Sequence, residues 1–261
     1  MQSNPKKGIL KKHLFLLSLA LLVSIFLITF FIYLNYQEQQ QKNFIKETAQ
    51  GFSQTVEDLN EASSIKEEID IIDASNPKIL EGTQQQIKII QNVLKNSKIQ
   101  IKELDTVNQF STIKTTKVIK EETLMFYRDV ESTYSKYLEC LEYFDDLNQI
   151  INQFQEIEDD VKNQNILEDV GEKLLSITPP VELQNFHQSL LSEYQNETEN
   201  SEESENDTSV DYNQQIENLY EEFQENINLV NDKAKQIKQL IIDQQVSLKI
   251  KPLIIDIESW K

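Results

Sequence analysis

The 21 residues from Leu14 to Leu34 carry no charge, and no other feature of this 261-residue chain constrains its fold as strongly. Leu, Ile, Val and Phe dominate the run, broken only by Ser18, Ala20, Ser24, Thr29 and Tyr33. As a helix rising ~1.5 Å per residue it would be about 32 Å long, enough to cross a hydrocarbon core of ~30 Å. A core helix of a soluble domain keeps a polar face, and this run has none. Lys6, Lys7, Lys11 and Lys12 precede it with no acid among them. Basic flanks stay in the cytoplasm, so the N-terminus is expected inside and residues from about Gln37 onward outside.

A cleaved signal peptide has a shorter apolar core, roughly 7–15 residues, that ends in small residues. The far end here, Phe30-Phe31-Ile32-Tyr33-Leu34-Asn35-Tyr36, offers no small-x-small pair, and no cysteine follows it directly for lipidation. The expectation is a retained signal anchor in the cell membrane, single-pass, with Tyr33 and Tyr36 as interfacial aromatics. Residues 1–13 then form a cytoplasmic basic tail and 14–36 the transmembrane anchor in contact with the lipid bilayer. Residues 37–246 form an extracytoplasmic bundle, and 247–261 an extended C-terminal tail.

Charge narrows the choice of partners. Only 4 of the 25 basic residues precede the apolar run while all 44 acids lie beyond it, so the part outside carries −23. Nucleic acid and anionic lipid are therefore disfavoured as partners of that part taken as a whole. The charges are also sorted. Residues 78–120 hold eight lysines against Glu81, Glu103 and Asp105, whereas the segment between Lys173 and Lys233 has no basic residue and 14 acids. A basic second helix lying near acidic later segments would help to order the helices, each exposed pair contributing roughly 0–1 kcal/mol. Cys140 is the only cysteine, which excludes an intramolecular disulfide. Its neighbours Tyr137, Leu141 and Phe144 predict a buried thiol acting as a small hydrophobe.

Only four glycines and five prolines interrupt the chain, a composition that favours long helices over sheet. Phe44, Thr48, Phe52, Val56, Leu59, Ser63, Ile69 and Ile72 recur at three- and four-residue steps, one apolar stripe on a helix leaving the membrane. It should stop at Asn76-Pro77, with Asn76 capping the next helix and Pro77 in its first position. That second helix, about 77–105, carries a heptad: Leu80, Thr83, Ile87, Ile90, Leu94, Ser97, Ile101 and Leu104. Polar Thr83 and Ser97 weaken it as a free coiled coil and favour antiparallel packing on a neighbour. A third helical stretch spans about Ser111–Asn165, with 111–122 weakly patterned enough to be a loop or separate turn. Its stripe is Tyr127, Val130, Tyr134, Tyr137, Leu141, Phe144, Leu147, Ile151, Phe154, Ile157 and Val161, and the centre of the core is expected among the aromatics from 126 to 154.

Thr178-Pro179-Pro180 should open a further helix, with Thr178 as cap, Pro179 first and Glu182 in its first turn. Leu183, Phe186, Leu190 and Tyr194 give it an apolar face. Residues 196–209, rich in Asn, Glu, Ser and Thr, read as a disordered acidic loop. The last helix, about 211–246, shows Ile216, Leu219, Phe223, Ile227, Val230, Ala234, Ile237 and Ile241. Beyond it Pro252 limits the tail to an edge or a strap. The predicted fold class is all-α: an N-terminal transmembrane helix followed by an antiparallel bundle of four or five long helices.

Chemical signatures are scarce. His187 is the only histidine beyond the apolar run, so no two-histidine zinc site can form within one chain. No G-x-S-x-G elbow, phosphate-cradling glycine loop or EF-hand occurs. Adjacent carboxylates such as Asp145-Asp146 and Glu158-Asp159-Asp160 diverge around a helix and suit a solvated face. Neither a cofactor, a metal nor a catalytic group is expected. The candidate functional positions are His187, Pro179, Pro180 and Thr178. His187 is either a pH-responsive group or one ligand of an intermolecular metal site or, more simply, a half-buried imidazole bonded to a neighbouring helix or to the Ile177–Pro180 loop.

The stretch Leu175-Ser176-Ile177-Thr178-Pro179-Pro180-Val181-Glu182-Leu183-Gln184-Asn185-Phe186-His187 resembles an element of poorly characterised helical envelope proteins of bacteria, anchored by a lipid or a single span. In them a long helix ends, a Pro-Pro-x-x-Leu-x-x-x-His element opens another, and two or more helices follow. The resemblance covers about 20 residues plus the helix order, and this chain departs from it in the acidic 196–209 insertion. It implies a helical bundle outside the membrane and no assigned activity. The expected function is accordingly a non-catalytic binding or scaffolding module of the cell envelope, acting through a protein partner or self-association along the helical stripes. Alternatives are a ligand-sensing ectodomain working with a separate membrane partner and, less favoured, an enzyme using carboxylates or His187.

Overall fold

The computed structural model describes residues 5–65, 77–107, 114–155, 164–199 and 212–258. They form six α-helices: α1 (Pro5–Ile65), α2 (Pro77–Thr106), α3 (Lys114–Gln155), α4 (Gln164–Ser176), α5 (Gln184–Glu199) and α6 (Tyr212–Ser247). A short 3-10 turn at Val181–Leu183 precedes α5. The expectations placed on Ile69, Ile72, Asn76, Ile157, Glu158–Asp160, Val161 and most of the 196–209 segment lie outside the described residues.

α1 has two halves with opposite relations to the rest of the protein. From Leu17 to Tyr36 every residue is exposed, Leu17 at 70% and Phe31 at 64%, so no other element covers this rod. It is the one helix among the described residues that is long and apolar enough to cross a membrane. From Phe44 onward the same helix turns into core. Phe44, Thr48, Phe52, Val56 and Leu59 are all buried, the three-four stripe read from the sequence.

Pairwise contacts give the topology. α3 runs parallel to α1, with Gln41 donating its amide to the Thr116 hydroxyl at 3.2 Å and the Phe52 and Phe126 rings 5.2 Å apart, edge to face. α2 runs antiparallel to both, through Asn96 to Asp58 at 2.7 Å on α1 and Asp105 to Arg128 at 3.8 Å on α3. α6 closes the ring antiparallel to α3, with Lys233 on Asp129 at 2.6 Å and Tyr137 against Phe223 at 5.2 Å. The result is a four-helix bundle of α1, α2, α3 and α6, with α4 and α5 packed on α3 near the end farthest from the apolar rod.

The centre holds Phe52, Phe126 and Tyr127, all fully buried, within the aromatic zone expected on α3. Edge-to-face pairs add about 0.5–1.5 kcal/mol beyond area burial. Gln86, 1% exposed, donates its amide to the Tyr137 hydroxyl at 3.1 Å, a polar cross-link between α2 and α3 inside the core. The buried face of α2 includes Gln86, Ile89 and Val93 as well as the heptad residues Thr83, Ile90, Leu94, Ser97 and Leu104, with Ile87 and Ile101 half-buried, because the helix packs on α1 and α3 at once. A seam for one partner would be narrower. Cys140 is buried, and desolvation first, then the Glu182, Glu139 and Glu222 carboxylates, pushes its thiol up to about 12.

The C-terminal segment is a strap. α6 ends with Lys249 in the left-handed region (φ 56°), Lys249 N–H bonding Val246 O at 3.0 Å and Ile250 N–H bonding Gln245 O at 2.8 Å. The chain then turns back between α6 and α1. Gln245 accepts from Leu253 N–H at 3.1 Å, and Ile255 is buried. Asn60 donates to Asp256 O at 3.0 Å and accepts from Glu258 N–H at 3.2 Å, while Asn231 donates to Glu258 O at 3.1 Å. Side-chain amides thus replace the sheet partners that an extended backbone otherwise needs.

Three local expectations need correction. Lys114–Glu122 is helix, the first turns of α3, because Thr116, Ile119 and the following Thr123 are buried. Of the stretch 111–165, the described parts are helical, Lys114–Gln155 in α3 and the start of α4 from Gln164; residues 156–163 lie outside the described residues. The acidic loop does not begin at 196, since α5 runs on to Glu199. Thr178 does not cap a helix with Pro179 in its first position. Residues 177–180 are non-helical, Pro180 is extended (φ −59°, ψ 161°), and the helix proper begins at Gln184. A proline disfavours the α conformation in the residue before it, so two in succession hold Thr178 and Pro179 out of a helix.

Phe52→Ala removes the ring at the α1–α3 contact and should cost about 3–5 kcal/mol. Denaturant unfolding of the full chain in mild detergent, followed by far-ultraviolet circular dichroism, measures it; a loss under 1 kcal/mol would place the core elsewhere.

Candidate functional site

The parallel pairing of α1 and α3 sets heights along the bundle. Thr116 lies level with Gln41, and Tyr143 follows further along α3. At ~1.5 Å per residue, Tyr143 stands about 50 Å beyond the end of the apolar rod. At that height a cleft of about 920 Å³ opens between α3 and the segment joining α4 to α5.

One wall is the outer face of α3, with Glu139, Glu142, Asp146 and Gln149 at helical spacing. These residues share an exposed side of the helix, next to the one that carries the aromatic stripe. The other wall is the non-helical connector: Ile177, Thr178, Pro179, Pro180 and exposed Val181. Two prolines fix this wall as stiff extended chain, free of the entropy a flexible loop would lose on binding. Glu182 ties it to α3 through Lys136 at 3.4 Å. Lys173 of α4 lines the cleft too, bound to Asp169 at 2.6 Å. Three carboxylates thus face a single lysine already matched by its own acid, and the cleft is electronegative.

Of the candidate positions, Thr178, Pro179 and Pro180 line this cleft directly, and His187 does not. His187 is 5% exposed, behind the wall, with its Nδ1 3.1 Å from the Tyr143 hydroxyl and the two rings 5.8 Å apart. Tyr143 itself lines the cleft. Phe186 packs against both Tyr143 and Phe144, so the start of α5 is anchored to α3 by three rings. Burial lowers the imidazole pKa and raises the Tyr143 phenol. His187 is therefore a neutral packing residue bonded to a neighbouring helix, and it holds the inner side of Tyr143 in place.

Gly171 on α4 is buried, and a methyl there would overlap the Tyr194 hydroxyl and ring of α5. This close approach joins the two short helices into the hairpin that carries the connector. Asp145 and Asp146 diverge as adjacent helical residues must. Asp146 faces the cleft, whereas Asp145 accepts from Gln149 at 3.0 Å and has its pKa raised mainly by burial. Among the described residues no group of three or more His, Cys, Asp or Glu is arranged to hold a metal ion.

The α3 wall was not singled out from sequence. Its signal was the spacing of Glu139, Glu142 and Asp146, but such spacing also describes any solvated helix face. Only the arrival of the proline connector opposite makes it half of a cleft.

The lowered His187 pKa has a defined sign. The folded state binds this proton less readily than the unfolded chain, so the stability it confers is complete above the unfolded value of 6.5. That stability is lost as pH falls through the lowered folded value. His187→Gln should therefore flatten the fall in stability between about pH 7 and pH 5 relative to the unaltered protein. Parallel curves for the two proteins in denaturant titrations across that range would mean that His187 titrates freely.

No protein-family description, curated protein or solved structure matches this chain. Its function is therefore argued from geometry.

Proposed function

We propose that this chain is a non-catalytic, single-pass membrane protein whose helical bundle stands outside the cytoplasm as a binding or scaffolding module of the cell envelope. The observation that carries this is α1. One helix without a break is bare and apolar from Leu17 to Leu34 and core from Phe44 to Ala62. An uncovered apolar rod of this length costs too much in water, since each large side chain left exposed forgoes about 1.5–3 kcal/mol. A bilayer removes that cost, and because the helix continues, the bundle is carried at a set height and angle. The lysines before the rod favour a cytoplasmic N-terminus.

The module presents its cleft at the far end, about 50 Å from the lipid by the helical rise. Its acidic α3 wall and apolar proline wall suit a positively charged, partly apolar segment of a partner protein. The cleft holds carboxylates with no imidazole among its lining residues; its Ser176 hydroxyl donates to Lys173 O and its Lys173 is bound to Asp169, so neither is paired with a base that would activate it. This supports binding over catalysis.

Single-cysteine reporters test the topology, because Cys140 is buried and its thiol is held protonated. In intact cells a membrane-impermeant maleimide should label Ile254→Cys, at an exposed position, and should reach Ser3→Cys only after permeabilisation. The reverse pattern would invert the topology, and labelling of both without permeabilisation would remove the anchor. For the cleft, a photo-cross-linker at Val181 should capture a partner in intact cells, and Glu139→Lys with Glu142→Lys should abolish the adduct. Adducts that survive charge reversal would rule out recognition by the acidic wall.

A further inference from the structure

The chain beyond the apolar rod is strongly acidic overall, yet the fold gathers lysines at the end of the bundle nearest the rod. The α1–α3 pairing places Lys117 level with Lys42, and Lys120 about one turn above. The antiparallel course of α6 brings its C-terminus to the same end, where the charge of Lys249 acts on Glu38. Lys251 follows at the start of the strap. These five lysines come from three elements far apart in sequence. Against them at the same height stand Glu38, bonded to Lys42 at 2.7 Å, Glu121, paired with Lys117 at 3.7 Å, and Asp243. Lys120 donates to Val107 O at 2.8 Å, which leaves Lys249 and Lys251 as the lysines facing the lipid with no acid of their own among these contacts. Lys114, the first residue of α3, begins at this level as well.

Distances to the bilayer follow from α1, on the reading that it spans the membrane. Lys249, level with Glu38, lies about 6 Å beyond Leu34 along the helix axis, and Lys42 and Lys117 about 12 Å. The headgroup layer is about 5–8 Å thick on each side, and a lysine side chain can extend down towards it. Apart from Glu38, Glu121 and Asp243, the acids of the bundle run from Glu47 and Glu122, about 20 Å beyond Leu34, to about 50 Å. With a Debye length of about 8 Å, their repulsion is largely screened at the headgroups, and the local sign of charge decides.

Lys249 supplies an independent observation. It occupies the left-handed position that ends α6, with φ 56° and both bonds of a Schellman turn in place. Glycine fits that position without steric penalty, whereas a residue with a Cβ is disfavoured there. A lysine stands where the backbone favours glycine, at the point where the turn meets the base of the bundle.

We infer that the lysine collar formed by Lys42, Lys117, Lys120, Lys249 and Lys251 docks the base of the bundle onto anionic phospholipid headgroups of the leaflet from which α1 emerges. The chemistry recognised is the lipid phosphate. Each lysine near an anionic surface shifts the balance between docked and undocked states about fivefold. Docking would limit tilting of the bundle on its single helix and keep the distal cleft pointing away from the lipid.

The test uses the full chain carrying Val246→Cys, labelled with a fluorophore on the exposed last turn of α6, while Cys140 stays buried. It is reconstituted into vesicles of phosphatidylcholine alone or with about one-third phosphatidylglycerol, each containing a headgroup spin-labelled lipid as quencher. Quenching should be at least twofold stronger in the anionic vesicles and should fall to the neutral level in about 1 M salt, where the Debye length is about 3 Å. Lys249→Gly with Lys251→Gln should at least halve the difference without lowering the unfolding midpoint, since glycine suits the turn. Equal quenching in both vesicles, or an undiminished difference in the double variant, overturns the collar. Failure of the protein to float with either vesicle overturns instead the membrane anchoring on which the inference rests.

Discussion

The helix that carries the bare residues Leu17–Leu34 does not end there; after about two turns of polar residues it becomes one wall of the core. Backbone hydrogen bonds make such a helix stiff, so whatever fixes its second half fixes the direction of its first. The fixing contacts are apolar. Ile45, Phe52 and Leu59 are fully buried, and the Phe52 ring meets Phe126 at the centre of the bundle. From this contact the rest takes its place: α3 beside α1 in parallel, α2 and α6 antiparallel around them, and the strap in the remaining groove between α6 and α1.

The two ends of the bundle differ in charge, and the separation has physical meaning. At the far end Glu139, Glu142 and Asp146 face a wall of prolines; near the rod, lysines from α1, α3 and α6 converge. The ends lie about 40 Å apart, several Debye lengths, so each acts on its own surroundings. A net charge of −19 describes neither. The surface ion pairs contribute little to stability. Lys98–Glu131, the pair that joins basic α2 to acidic α3, spans 3.8 Å with both side chains well solvated. Helix order is instead set by the buried faces, with Gln86–Tyr137 as a polar check on register.

Much of this was legible one helix at a time. The stripes read on the second half of α1, from Phe44 to Leu59, and on α6 fall on the buried faces: Ile216, Phe223, Ile227, Val230, Ala234, Ile237 and Ile241 are all buried, with Leu219 half-buried. Cys140 was expected buried and is. His187 was expected half-buried and bonded to a neighbouring helix or to the Ile177–Pro180 loop; it is buried, and its partner is Tyr143 on α3. The misreadings share a cause. Lys114–Glu122 looked unpatterned because one of its buried residues is Thr116, a polar side chain that turns inward where Gln41 donates to its hydroxyl, leaving Ile119 as the buried apolar position. The Pro-Pro element was read from the preference of proline for the first helical turn. Its equally general effect on the residue before it prevailed, and the helix started at Gln184.

By itself the sequence determined the elements and their faces: the apolar rod, the all-helical class and the stripes. These follow from local propensity and periodicity, which a single segment carries complete. Tertiary structure decided which faces meet and, through that, what lies at each end. The cleft exists only because the α4–α5 hairpin, closed on Gly171 and anchored by Phe186, brings the proline connector opposite Glu142. The collar exists only because α6 returns antiparallel and sets Lys249 beside Glu38, 211 positions away in the chain. Charges distant in sequence have no mutual energy until packing, driven by apolar burial that is indifferent to them, brings them within a Debye length.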